Sequence, residues 1–294
     1  MNDLAWLSRT KLLVGETGVE KLINAHVLVV GLGGVGSYAA EFVARSGVGE
    51  MTIVDGDVVD PSNRNRQLPA LATTHGLPKA DIMAERLLAI NPELKLTVIK
   101  DFLTPDKAEA ICQAAKYDYV MDCIDSVTPK LYLITSAKKQ GLNIVSSMGA
   151  GGKVDPTRIK VADLRDTQIC RFALYIRKRL KKKGIVTGLI TVFSDEPAPK
   201  ESLMMTDGTN FKKSAYGTIS YLPAAFGGAC ASVVIRHILG QTVKLHKDKS
   251  LDLMKKHNLV YEMKQKKKQA VKAVKEVGLE KEDDKKPDDL VWEI

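Results

Sequence analysis

Gly31, Gly33, Gly34 and Gly36 fall within six residues in the pattern Gly-x-Gly-x-x-Gly. Between a strand and a helix, such a loop turns backbone N–H groups and a helix N-terminus toward phosphate. Asp55 follows at about 20 residues, where a carboxylate can accept from ribose hydroxyls. These features suit NAD and ATP alike, and the residues beyond them separate the two. Ser62-Asn-Arg-Asn-Arg-Gln67 brings guanidiniums and carboxamides into the next loop, and arginine grips phosphate oxygens in pairs. Lys79 opens the following helix as a point charge for a polyphosphate. Asp125 follows the fourth strand, where it would repel phosphate unless Mg²⁺ lay between them. Each residue alone is an ordinary surface charge. Together they favour ATP with Mg²⁺, and the Tyr-x-x-x-Lys pair of some dehydrogenases is missing from the chain.

The elements that must position these residues can be read from apolar spacing. The run His26-Val-Leu-Val-Val30 is continuously apolar after its first residue, as in a parallel strand buried on both faces. Val35, Ala39, Phe42, Val43 and Ser46 mark one face of a helix, and 51–55 is the second strand. Helices are predicted at 79–90, 105–115 and 129–140, the first stopping before Asn91-Pro92 and the last opened by Pro129. Strands are predicted at 94–99, 119–122 and 143–148. This alternation gives an α/β fold, a doubly wound, mostly parallel Rossmann-like sheet with ligands at its carboxyl edge. Upstream, 4–24 reads as one or two short helices broken at Gly15 and Gly18. Downstream, 151–240 is an α/β extension with strands at 159–162 and 190–193, a basic helix at 168–182 and an apolar helix at 224–239. The predicted organisation is one domain over 1–240, with a nucleotide-binding core at 26–150 and a substrate-side extension at 151–240. A charged, partly helical tail covers 241–294, with a helix candidate at 255–276 and a poorly ordered end.

As a set, Gly31–Gly36, Asp55, Ser62–Gln67, Lys79 and Asp122-Cys-Ile-Asp125 resemble the motifs of the ubiquitin-activating-enzyme-like superfamily, the ThiF/MoeB/HesA type. The resemblance spans about residues 8–239. It implies a protein that uses ATP to adenylate a carboxylate. On the matching positions, Gly31, Gly33, Gly34 and Gly36 would cradle phosphates and Asp55 would hold the ribose. Asn63, Arg66 and Lys79 would bind the triphosphate, and Asp125, followed by Ser126, would support Mg²⁺. Arg9 matches an arginine that relatives extend into the ATP site of a second copy, which implies a homodimer; an ordinary surface arginine fits it equally. Relatives that activate sulfur carriers often hold zinc in two C-x-x-C pairs, and this chain has no such pair. Ser147-Met-Gly-Ala-Gly-Gly-Lys-Val-Asp-Pro156 and Val192-Phe-Ser-Asp-Glu-Pro197 instead resemble the branch that dehydrates threonylcarbamoyladenosine in tRNA.

The remaining charge fits that branch. The formal net charge is +9, and an excess of this sign suits a polyanionic partner. Residues 171–183 hold Arg171, Arg177, Lys178, Arg179, Lys181, Lys182 and Lys183 and no acid. Leu174, Ile176 and Leu180 can anchor this stretch, and Phe172 and Tyr175 could stack on bases. An ordinary solvated helix face would look the same; with the resemblance, the expected partner is tRNA at its anticodon stem-loop. From Lys244 onward there are 14 lysines against 11 acids, a mixed rather than basic tail. Cys112, Cys123 and Cys230 read as buried and inert, whereas Cys170 beside Arg171 would be reactive if exposed. No apolar run reaches membrane-spanning length and 1–10 lacks a signal core, so a cytoplasmic enzyme without a membrane partner is expected. Two alternatives stay open. One is adenylation of the C-terminal glycine of a sulfur-carrier protein, with sulfur-relay proteins as partners. The other is a nucleotide-sensing RNA scaffold without turnover.

Overall fold

The structure, a computed structural model, describes residues 4–205 and 214–248. In chain order it contains α1 (Ser8–Ile23), β1 (His26–Val30), α2 (Gly36–Arg45), β2 (Glu50–Val54), α3 (Lys79–Ile90), β3 (Lys95–Ile99), α4 (Pro105–Gln113), β4 (Tyr119–Asp122), α5 (Val127–Lys139) and β5 (Ile144–Ser147). It continues with β6 (Ile159–Asp163), α6 (Arg171–Lys181), β7 (Ile190–Ser194), β8 (Leu203–Met205), β9 (Ser214–Tyr216) and α7 (Tyr221–Ile238).

The five residues of β1 are all buried, because helices cover both faces of the sheet. The order is β3-β2-β1-β4-β5-β7-β6, parallel throughout except for the last pairing, β6 with β7. The order reverses direction between β1 and β4, so the glycine loop after β1 and Asp125 after β4 flank one crevice at the carboxyl edge. One core lies between the sheet and residues of α1, α2, α3 and α7, the other between the sheet and α4, α5 and α6. Helices α2 and α7 approach closely at Gly227, where a Cβ would come within 2.6 Å of the Val35 carbonyl oxygen.

Several boundaries differ from the sequence reading for local reasons. Helix α1 kinks at Gly15 (φ +75°), while Gly18 stays helical, packed on Val14 and Leu239. Phe42 lies at the rim of the α2 face, which buries Ala39, Ala40, Val43 and Ala44. Helix α6 begins at Arg171 because Ile169 adopts φ +59°, a rare conformation for a β-branched residue that turns the chain before the helix. Helix α7 begins ahead of Pro223, which the first turn tolerates. The short hairpin β8–β9 has too few residues to show a period. The described residues up to 247 form one compact unit. Residues just past 240 join it, with the His246 N–H donating to the Val161 carbonyl at 2.7 Å. The predicted tail helix lies outside the described residues.

Candidate active site

Each loop glycine answers a different constraint. Gly31 has φ +89°, and its N–H donates to the Val54 carbonyl at 2.8 Å. At Gly36 a Cβ would fall 1.7 Å from the Gly31 carbonyl oxygen, so the loop closes on itself only with glycine there. A Cβ on Gly34 would press on Pro223 of α7 at 3.0 Å. Gly33 meets nothing nearer than the Gln67 carboxamide at 3.7 Å, which leaves an open approach for a phosphate. The first turn of α2 has no side-chain cap; its Ser37 and Ala39 N–H groups donate to the Gly33 and Val35 carbonyls, and the remaining amides of that turn can face an anion.

Asp55 clamps this loop. One carboxylate oxygen accepts from the Leu32 N–H at 2.6 Å and the other from the Asp57 N–H at 2.7 Å. Burial pushes its pKa up, opposed by the Lys79 charge and by these two hydrogen bonds. Each oxygen keeps a further lone pair for a hydroxyl donor.

The loop after β2 is organised by a capping box. Asp60 accepts from the Ser62 N–H at 2.8 Å, and the Asn63 carboxamide oxygen accepts from the Asp60 N–H at 3.3 Å. Asn63 is thus buried with its oxygen occupied, leaving its NH₂ as the group it can offer. Arg66 donates to the Ser62 carbonyl at 3.0 Å and to the Asn65 Oδ1 at 2.9 Å. Burial lowers its pKa, while the charges of Asp125 and Asp60 pull it back up, so Arg66 and Asp125 share one field. Asn65 in turn donates to the Thr218 carbonyl at 2.9 Å, tying this loop to the segment before α7.

Other expected site residues are placed differently from one another. Lys79 is buried, with its ammonium 3.1 Å from the Asp57 carboxylate; it lies on the Asp55 side rather than standing free as a point charge. Asp125 is exposed in the loop after β4. Ser126 occupies the N-cap of α5 with no side-chain capping bond. Arg9 is exposed in the first turn of α1. On α6, Ala173, Ile176 and Leu180 face the core, and Arg171, Lys178, Arg179 and Lys181 are exposed, as are Lys182 and Lys183 beyond it. Arg177 departs from the sequence reading, since its guanidinium donates to the Thr167 carbonyl and hydroxyl, both at 2.7 Å. Phe172 also departs from it: the ring is half-buried against Gly149, with the Lys130 ammonium 5.8 Å above it. Tyr175 remains exposed. Cys170 is buried in the core at the N-cap of α6, so the exposed reactive thiol considered above is not found.

Two arrangements have no role in the sequence reading, although Asp122 and Gln67 lie in its motifs. Lys130 of α5 and Asp122 of β4 form a fully buried ion pair at 2.7 Å, completed by the Ser146 hydroxyl at 2.6 Å from the carboxylate. The signal available was a lysine beside Leu131, Leu133 and Ile134 in an otherwise apolar stretch. The Gln67 carboxamide beside Gly33 has a buried oxygen without a hydrogen-bond partner. Its hint was its place directly after Arg66.

The profile of the ThiF family matches residues 7–274. The tRNA threonylcarbamoyladenosine dehydratase of Bacillus subtilis is 44% identical over 189 residues, 64% of this chain and 74% of that protein. The crystal structure of the Escherichia coli tRNA N6-threonylcarbamoyladenosine dehydratase in complex with ATP superposes with a TM-score of 0.72 at 38% identity, covering 81% of this chain and 95% of that one. The same E. coli protein in complex with AMP gives 0.71 at 40% identity, covering 80% and 96%. The chain belongs to the ThiF family.

Proposed function

We propose that this chain is an ATP-dependent dehydratase that adenylates the carboxylate of threonylcarbamoyladenosine in tRNA and closes it into a ring. The observation that carries this reading is the meeting of two features at one sheet edge. The glycine loop, Asp55, Arg66 and Asp125 border the crevice between β1 and β4. Beside it, the strand β5 leads into Gly149, against which the basic helix α6 begins. From there the α6 cations extend about 15 Å at 1.5 Å per residue, a reach suited to an RNA backbone.

In the first step the threonyl carboxylate oxygen attacks the α-phosphate and pyrophosphate leaves. The carbamoyl group then attacks the activated carbonyl carbon, expelling AMP. ATP thereby takes up the equivalent of one water. The tethered nucleophile gives the second step a high effective concentration. Loop amides at Gly33 and the Arg66 guanidinium stabilise charge on the phosphates, and Asp55 holds the ribose. Among the described residues no three His, Cys, Asp or Glu side chains converge on one point. Mg²⁺ on a nucleotide needs only one or two carboxylates besides phosphates, a donor set that Asp125 fits. Bound there, Mg²⁺ would neutralise phosphate charge. The reading includes a cytoplasmic homodimer in which Arg9 of one subunit completes the ATP site of the other. Leu12 and Leu13, each 85% exposed on α1, support a covering partner at that helix.

The test is nucleoside mass spectrometry of threonylcarbamoyl-modified tRNA incubated with the protein and ATP-Mg. Loss of one water from the nucleoside, matched by one AMP and one pyrophosphate, is the expected result. Turnover of ATP that depends on a carrier protein and leaves the nucleoside unchanged would overturn the reading.

A further inference from the structure

Three lysines are buried among the described residues: Lys79, Lys130 and Lys153. Lys79 and Lys130 each pair with a carboxylate, at 3.1 and 2.7 Å. Lys153 does not. It is 6% exposed, and the partner of its ammonium is the Gly151 carbonyl at 3.2 Å. A buried cation without a counter-charge is unfavourable, which makes the place a receptor for an anion. Among the described residues no carboxylate forms an ion pair with the Lys153 ammonium, and the nearby acids are oriented toward other donors. Asp155 accepts from the N–H and hydroxyl of Thr157, and Glu196 accepts from the N–H groups of Val154 and Asp155.

The surrounding backbone holds Lys153 beside the site. It follows Gly149-Ala-Gly-Gly152 at the carboxyl end of β5, which pairs with the strand that leads to Asp125. A Cβ on Gly151 would lie 3.6 Å from the Thr218 methyl. The Thr218 carbonyl accepts from Asn65, and Asn65 accepts from Arg66. Gly152 has φ +71° and its N–H donates to the Gly217 carbonyl at 2.8 Å, so this turn is fixed on both sides.

We propose that Lys153 receives the substrate's carboxylate and positions it for attack on the α-phosphate. This assignment rests on the function proposed above. The triphosphate ligands lie after β1 and β2, whereas Lys153 lies after β5, on the side where a second reactant must approach. A compact monoanion suits a single ammonium, which acts as a point charge.

The test uses two anticodon stem-loop RNAs that differ only in the threonylcarbamoyl group. Wild-type protein binds the modified RNA more tightly. Lys153→Met reduces that preference roughly ten- to hundredfold, the scale of one charge-assisted hydrogen bond, and leaves the affinities for unmodified RNA and ATP-Mg within about twofold. Lys153→Arg retains part of the preference. Lys153→Gln serves as the neutral variant if the methionine variant does not fold. A preference that survives both neutral variants overturns the assignment, as does a loss of ATP-Mg affinity in its place. A wild-type protein without any preference overturns this assignment and the proposed function together.

Discussion

Asp122 and Lys130 show how one pair of residues can hold the loop that carries Asp125. The carboxylate lies at the end of β4 and accepts from Lys130 and the Ser146 hydroxyl through one oxygen. Its other oxygen accepts from the Ile124 N–H at 3.2 Å, inside the loop that carries Asp125. Burial pushes the Asp122 pKa up, and the Lys130 charge and the three hydrogen bonds oppose it. Removing the ammonium would leave a carboxylate in the core with no counter-charge. Lys130→Met should therefore lower stability in urea denaturation by about 3–5 kcal/mol. The double variant Lys130→Met/Asp122→Asn should recover much of that loss, because neither member is then a lone charge. A single variant as stable as wild type would show that the pair does not hold the loop. The sequence made Asp122 legible as part of a motif but not this role. Its partners come from the next helix and from the neighbouring strand, and only the folded sheet brings them together. The glycine loop was legible because its constraints are local: Gly36 is set by Gly31, five residues away.

Helix α6 divides its work by face. Ala173, Ile176 and Leu180 recur at helical spacing and anchor it, leaving Arg171, Lys178, Arg179 and Lys181 toward solvent. Spacing announced an amphipathic helix anchored by Ile176 and Leu180, but Leu174, expected as a third anchor, is exposed and Ala173 takes its place. What spacing could not reveal was that Arg177 is tied to residue 167, or that Ile169 delays the start of the helix. These depend on how the preceding turn docks. For RNA the useful cations are then the exposed ones, and Tyr175 is the exposed ring left for stacking. Lys181→Glu/Lys182→Glu/Lys183→Glu should weaken tRNA binding and leave ATP binding unchanged. The log–log dependence of binding on salt should flatten by roughly two to three, as three phosphate contacts are lost. Filter binding across a salt series checks this. An unchanged slope would remove these lysines from the RNA-binding face.

At the scale of the molecule, the alternation of strands and helices announced a parallel sheet, but not its order. The switch between β1 and β4 arises from pairing over nearly a hundred residues, and it is what brings Asp125 to the same crevice as the glycine loop. Arg9 is exposed on a helix that also exposes Leu12 and Leu13. A two-fold dimer that covers α1 would resolve both facts, because each subunit would lend Arg9 to the other. Such a dimer, unlike any monomeric arrangement, can be complemented between subunits. Arg9→Ala and Asp125→Ala should each abolish ring closure alone. Mixed and allowed to exchange subunits, they should regain activity. In a hybrid dimer, one site combines the intact Asp125 of the first variant with the intact Arg9 of the second, and the other site lacks both. With random exchange half of the dimers are hybrids, so the mixture should reach about a quarter of wild-type activity per site. Sedimentation would establish the dimer at the working concentration. A mixture no more active than its two components would mean that Arg9 does not act across an interface.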